Sequence, residues 1–175
     1  MAFTNLQIDT DKLPHAEDLQ MQPMAEVYRR ESLTQMAIIF IPMLVISLIP
    51  QLFPISPPLL KSLLLLVPLG ILLIGTLLTL LVVNQIKVMS YALRDHDIAY
   101  RSGLFWRKTT VLLFSRVQHV EVTSGPLQRR YGLASLKFFT AGGSSVDLKI
   151  EGLLREDAEK LKEFIMLRST GEHQV

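Results

Sequence analysis

The stretch with the clearest chemical character is Phe105-Trp106-Arg107-Lys108, which places two aromatic side chains directly before two cations and holds the only Trp of the chain. At a membrane surface, aromatic rings sit at headgroup depth and cations bind lipid phosphate. The alternative is that Phe105 and Trp106 pack inside a folded domain while the two cations are solvated. The stretch is therefore a candidate contact for anionic lipid or for a protein partner.

A second candidate contact is Arg129-Arg130, which lies directly before Tyr131. The planar guanidinium group carries a fork of donors that suits phosphate and carboxylate groups. A solvated turn would use the same residues without any ligand. Both interpretations stay open at this point.

The histidines and acidic residues predict no catalytic, cofactor or metal site. His15, His96, His119 and His173 are not paired at metal-ligand spacing, and the chain contains no Cys. His96 lies between Asp95 and Asp97, where a metal site is one interpretation and a hairpin turn is the favoured one. We find no nucleophile–base motif and no phosphate-binding glycine loop, so we expect a protein that is not an enzyme.

The element that must position these residues is a charge-free stretch over residues 62–83. As a helix it would span roughly 33 Å, against roughly 30 Å for a bilayer core. A helix of a water-soluble protein keeps a polar face, and this stretch has none. The alternative, a helix buried in a soluble core, needs a larger chain. We therefore predict a membrane-spanning helix.

A second span is predicted over residues 33–53, with a kink near Pro42 and an end near Pro50. Residues 51–61 contain Pro54, Pro57 and Pro58, and we expect them to form a tight turn between two antiparallel spans. Lys and Arg cluster outside this hairpin, whereas the turn carries only Lys61. The distribution predicts that both termini face the cytoplasm.

Four segments follow from these patterns. Residues 1–31 are predicted to form an N-terminal tail, without a secretory signal, and a juxtamembrane helix. Residues 32–83 form the hairpin, residues 84–168 a cytoplasmic domain, and residues 169–175 a polar tail. The net charge of +4 beyond residue 83 (fourteen bases and ten acids) suits a domain near anionic lipid and is too dilute for a nucleic-acid binder.

The domain is predicted to be mainly β. Alternating apolar and polar residues indicate strands with one buried face. The predicted strands are residues 87–93, 98–102, 108–114, 117–123, 134–140 and 144–150. Hairpin turns are expected at Asp95-His96-Asp97 and Gly142-Gly143, and a short helical turn over residues 126–131.

After Gly152 the period becomes helical, with Leu154, Ala158, Leu161 and Ile165 on one stripe. We predict a C-terminal amphipathic helix that covers an open end or face of a small β-barrel or sandwich.

The run SRVQHVEVTSGPLQR followed by RYGLASL, directly after two apolar spans, resembles the bacterial pleckstrin-homology-like membrane proteins of the YdbS-like family. The resemblance implies a fold of two antiparallel sheets closed by the C-terminal α-helix. It also implies a partner, since such proteins are often paired with a larger membrane protein that carries several copies of the domain; a homo-oligomer is a further possibility. It carries over no catalytic residue.

Together with the resemblance, these observations predict a multi-pass interaction or scaffold protein of the bacterial inner membrane that binds a protein partner or anionic lipid headgroups. The alternative is an accessory subunit of a transport or envelope-stress complex.

Overall fold

The computed structural model describes residues 20–52, 57–140 and 146–171. In chain order the elements are β1 (Gln22–Pro23), α1 (Glu26–Leu48), α2 (Pro58–Val88), β2 (Ser90–Leu93), β3 (Asp97–Ser102), β4 (Lys108–Leu113), β5 (Val117–Thr123), α3 (Pro126–Arg130), β6 (Leu133–Thr140), β7 (Leu148–Leu154) and α4 (Arg155–Gly171). Short 3-10 turns follow α1 at Ile49–Leu52 and β4 at Phe114–Arg116.

The two long helices are apolar and almost wholly exposed. The segments Glu26–Leu52 and Ser62–Val88 each have 27 residues, and only 6% and 11% of their most apolar windows are buried. A core helix of a soluble protein would show the opposite, because its apolar surface would be covered by the rest of the chain. The two helices pack against each other as a hairpin and are long and apolar enough to cross a membrane.

The prolines set the ends of the hairpin helices. As expected, α1 ends close to Pro50, at Leu48, and continues only as a 3-10 turn. The predicted turn over residues 51–61 is too long, because α2 already begins at Pro58. Proline at the first helical position costs no hydrogen bond, since that N–H has no partner inside a helix. Residues 53–56 lie outside the described residues.

Two antiparallel sheets follow the hairpin, as the resemblance implies. Within the described residues the first sheet has the order β1-β2-β3-β4 and the second β5-β6-β7. Helix α4 packs against the second sheet through Ala158, Leu161 and Ile165, which are all buried. The largest fully buried side chains are Phe114, Phe138, Ile98, Leu133, Leu136, Ile150, Ile165 and Val120. The fold is therefore a membrane-capable helical hairpin joined to a mainly-β domain with a C-terminal helix.

One strand of the first sheet comes from before the hairpin. Gln22 pairs with Tyr91 and Pro23 with Ser90, and Met24 and Tyr28 are buried in the core of the domain. The expected division at residues 31 and 84 thus differs from the packing, because part of residues 1–31 belongs to the β domain. A two-residue strand is too short to show a period of its own, which is why the sequence did not indicate it.

We predict that residues 84–171 alone are less stable than the same residues preceded, through a Gly-Ser linker, by residues 20–31. Burial of Met24 and Tyr28 contributes about 1.5–3 kcal/mol each. The shorter chain should therefore unfold at least about 10 °C lower, which circular dichroism would measure. Equal unfolding midpoints would show that the leading strand is dispensable.

The predicted strand over residues 87–93 is wrong in extent. Helix α2 continues to Val88, and the N–H of Met89 donates to the carbonyl oxygens of Gln85 and Ile86. Only Ser90–Leu93 is a strand, with Ala92 buried and Leu93 exposed. The physical reason is that the helical hydrogen bonds of α2 continue as far as the N–H of Met89, so residues 87–89 are not paired as a strand.

The last strand also differs from its prediction. β7 runs from Leu148 to Leu154, so it extends beyond Gly152, and Leu154 belongs to the strand instead of the helix. The expected alternation holds for Leu148 and Ile150, which are buried, while Val146 is exposed and precedes the strand. The expected Gly142-Gly143 turn lies outside the described residues.

Candidate membrane-facing site

The first part of the site is the loop between β3 and β4. These strands pair from Asp97 with Leu113 to Ser102 with Lys108, which leaves residues 103–107 as the loop. Gly103 has a φ of +97°, and a Cβ there would collide with the carbonyl oxygen of Trp106. Only glycine tolerates both the conformation and the close approach. A tight turn therefore leads directly into the two aromatic residues.

Both aromatic side chains of this loop project into solvent. Phe105 is 75% exposed and Trp106 is 88% exposed, and the neighbouring cations Arg107 and Lys108 are exposed as well. The alternative in which the rings pack inside the domain is therefore wrong. Two adjacent aromatic rings here expose apolar surface to water, which is unfavourable. Contact with another surface that covers the rings would remove this area from water and be favourable.

The strand register places this loop at the end of the sheet that faces the hairpin. β2 begins at Ser90, two residues after the last residue of α2, Val88. Ser90 pairs with Arg101, so the end of β3 and the loop that follows it return to the point where α2 joins the domain. If α2 crosses a bilayer, Phe105 and Trp106 lie on the bilayer side of the sheet.

The second cationic pair reaches the same side from the other sheet. Arg129 and Arg130 are exposed in the last turn of α3, which confirms the expected helical turn. The hydroxyl of the next residue, Tyr131, lies 2.7 Å from Thr34 Oγ1 on α1. Thr34 belongs to the stretch of α1 that has no charged residue, so α3 lies beside the point where α1 becomes apolar.

A junction between α1 and β7 holds the domain on the hairpin, and the sequence did not indicate it. The Tyr28 hydroxyl donates a 3.0 Å hydrogen bond to Glu151 Oε2, and Glu151 also pairs with Lys149. The Tyr28 ring lies on Gly152, whose φ is +75°.

Two tyrosines of the first sheet have raised pKa values. Burial and the nearby Glu151 raise the pKa of Tyr100 to about 12, so its hydroxyl is neutral at physiological pH. Burial and Asp157 raise the pKa of Tyr91.

The Asp95-His96-Asp97 segment is a hairpin turn at the opposite end of the first sheet. Arg94 donates to both carboxylate oxygens of Asp97, at 2.6 and 2.9 Å, and its N–H donates to the Asp97 carbonyl oxygen. His119 lies on β5, and its Nε2 is 3.6 Å from Glu121 Oε1. In the part of the chain that the structure describes, no group of three or more His, Asp or Glu side chains is arranged to hold a metal ion. His15 and His173 lie outside that part.

Comparison with known proteins gives three findings. A family model described as "Bacterial PH domain" matches residues 33–169. The chain is 33% identical over 95 residues to the "UPF0699 transmembrane protein YdbS" of Bacillus subtilis (strain 168). That alignment takes in 53% of this chain and 58% of the relative, so the match spans somewhat more than half of the relative's length.

Among solved structures, the chain is similar to a DUF1696 family protein with a pleckstrin-homology domain from Shewanella loihica PV-4. The superposition has a TM-score of 0.37 at 14% identity and covers 46% of this chain and 70% of that one.

The family match includes the apolar part of α1 and the whole of α2. It begins within α1 and ends within α4, and it therefore includes the strands β2 to β7. The match takes in well over half of the chain, and a relative of the chain carries the word transmembrane in its name. The chain belongs to the bacterial PH domain family.

Proposed function

We propose that the chain is a membrane-anchored scaffold of the bacterial inner membrane, in which the hairpin holds a cytoplasmic PH domain against anionic headgroups and a protein partner. The observation that supports this most is the exposure of Phe105 and Trp106 at the hairpin end of the first sheet. Aromatic rings are stable at headgroup depth, and Arg107 and Lys108 would meet lipid phosphate there. The proposed role includes no reaction.

The cytoplasmic orientation is part of the proposal. Arg29 and Arg30 precede the apolar part of α1, and Lys87 and Arg94 follow that of α2. Cations near the ends of membrane spans favour the cytoplasmic side. Both termini and the PH domain would then lie in the cytoplasm, next to the leaflet that is rich in anionic lipid.

A protein partner is the second half of the proposed role. Among the strands that the structure describes, β4 is an outer strand of the first sheet, and it exposes the apolar side chains of Val111 and Leu113. An outer strand of this kind presents unpaired backbone groups to which another chain can add. We propose a larger membrane protein with PH-like domains or a second copy of this chain as the partner.

The single tryptophan gives a direct test of the membrane contact. We predict that Trp106 fluorescence of the full chain in bilayers is quenched by phospholipids brominated near the headgroup end of the acyl chain. Its emission should also shift to the blue, because a ring at headgroup depth leaves bulk water. The measurement is steady-state fluorescence with lipids brominated at increasing depth.

A matched control moves the tryptophan to the far end of the sheet. Trp106→Phe combined with Leu93→Trp places the single indole next to the Asp95-His96 turn, where we expect no quenching. If Trp106 were quenched no more than this control, the membrane contact of the loop would be refuted.

A further inference from the structure

A groove lies between the start of α1 and the end of α2, apart from the β3–β4 loop. It has a volume of about 330 Å³. Its charged lining residues are Arg29 and Arg30 from α1, Lys87 from α2, and Glu26. Three cations against one carboxylate leave a net charge of +2 in a small volume. Within the described residues none of these cations is ion-paired, so the charge is available to an anion.

An apolar cleft of about 350 Å³ lies next to the groove, between the two helices. Leu33 lines both spaces, and Ile86 completes the apolar side of the groove. Deeper along the hairpin the cleft is bounded by Met36, Phe40 and Gly75. A Cβ at Gly75 would come within 3.0 Å of the Phe40 ring, so glycine keeps the two helices close at this level.

This order of surfaces matches the order of groups in a phospholipid. A cationic compartment lies where the helices meet the domain, and an apolar compartment follows it along the hairpin. A soluble phosphate would occupy only the first compartment, whereas a lipid would fill both. Arg and Lys are the residues that bind phosphate in proteins, and Arg forms paired hydrogen bonds with it.

We propose that this interhelical groove is a binding site for one anionic phospholipid, with its phosphate between Arg30 and Lys87 and an acyl chain in the cleft beyond Leu33. The proposal rests on the same placement of the hairpin in a bilayer as the proposed function, but it does not depend on the Trp106 loop. The bound lipid would link α1 to α2, because its phosphate would contact Arg30 on α1 and Lys87 on α2.

Native mass spectrometry of the full chain, released from detergent with added lipid, tests the site. Phosphatidylglycerol should be retained in preference to phosphatidylcholine. The variant Arg30→Gln/Lys87→Gln should lose that preference, with an affinity about 25-fold lower, because each cation near anionic lipid contributes about fivefold. The charge-keeping variant Arg30→Lys/Lys87→Arg should retain it. Unchanged binding to Arg30→Gln/Lys87→Gln would overturn the proposal.

A matched control removes one Arg and one Lys elsewhere. Arg116→Gln/Lys160→Gln changes exposed cations on the domain and should leave lipid retention unaltered; an equal loss in this variant would mean net charge, and not the groove, holds the lipid. Excess inorganic phosphate should fail to displace phosphatidylglycerol; displacement would assign the groove to a soluble phosphate and overturn the lipid assignment. Trp106 quenching should be unchanged in Arg30→Gln/Lys87→Gln, so the loop and the groove can fail separately.

Discussion

Gly152→Ala should lower the free energy of unfolding of the full chain by about 2–5 kcal/mol. Gly152 has a φ of +75°, which an L-residue adopts only at a cost. A Cβ there would also overlap the Tyr28 ring, which is buried and whose hydroxyl is hydrogen-bonded to Glu151. Thermal unfolding in detergent, followed by circular dichroism, should show a midpoint lower by several degrees.

Gly132 is the matched control, because it shares the backbone conformation but not the contact. Its φ is +68°, and no atom lies within 4 Å of the Cβ position. Gly132→Ala should therefore cost only the conformational part, about 1–2 kcal/mol. In a Tyr28→Ala background, Gly152→Ala should also fall to that smaller cost, since the overlapping ring is gone. Equal losses for both glycines would show that the Tyr28 contact contributes nothing.

Phe138→Ala should lower the free energy of unfolding by about 3–5 kcal/mol. Phe138 is 0% exposed and lies on the central strand of the second sheet, opposite Val120 on β5 and Leu148 on β7. Truncation would remove apolar burial and leave a cavity that the close-packed neighbours cannot fill. The same detergent unfolding experiment measures the effect.

Phe139 provides the comparison within one strand. It is the next residue of β6, so its side chain is on the other face, where it is only partly buried and lies 5.8 Å from the His119 ring. Phe139→Ala should cost about 1 kcal/mol, the ordinary value for a single substitution. If both variants lost the same stability, the assigned faces of β6 would be wrong.

The junction at Gly152 has a functional consequence. The contact between Tyr28 and Gly152 and the hydrogen bond to Glu151 fix the second sheet to α1. The continuation of α2 to Val88 fixes the first sheet to the other helix. With both sheets attached to the hairpin, the Trp106 loop and Arg129 are held on the same side of the domain. A domain that is held rigidly on the hairpin loses less conformational entropy when it contacts a surface than a domain joined to the hairpin by a flexible linker.

The sequence alone determined the parts of this protein that depend on local pattern. The absence of charge over residues 62–83 predicted an apolar helix. This prediction needs no information from the rest of the chain, because a membrane-spanning helix forms all its backbone hydrogen bonds within its own segment. The alternation of Val117–Thr123 predicted β5 with correct bounds. The helical stripe of Ala158, Leu161 and Ile165 predicted the buried face of α4. Each of these signals lies within one element.

Contacts between residues far apart in the chain follow from the packing of the whole fold and have no local sequence pattern. The pairing of Pro23 with Ser90 joins segments on either side of the hairpin, and the contact of Tyr28 with Gly152 joins α1 to β7. The exposure of Trp106 also depends on the whole sheet. The residue type does not show it, because a Trp can be either buried or exposed in a folded protein. Periodicity reports which face of one element is apolar, but the partner that covers this face, or leaves it open, is chosen by the packing of all the elements together.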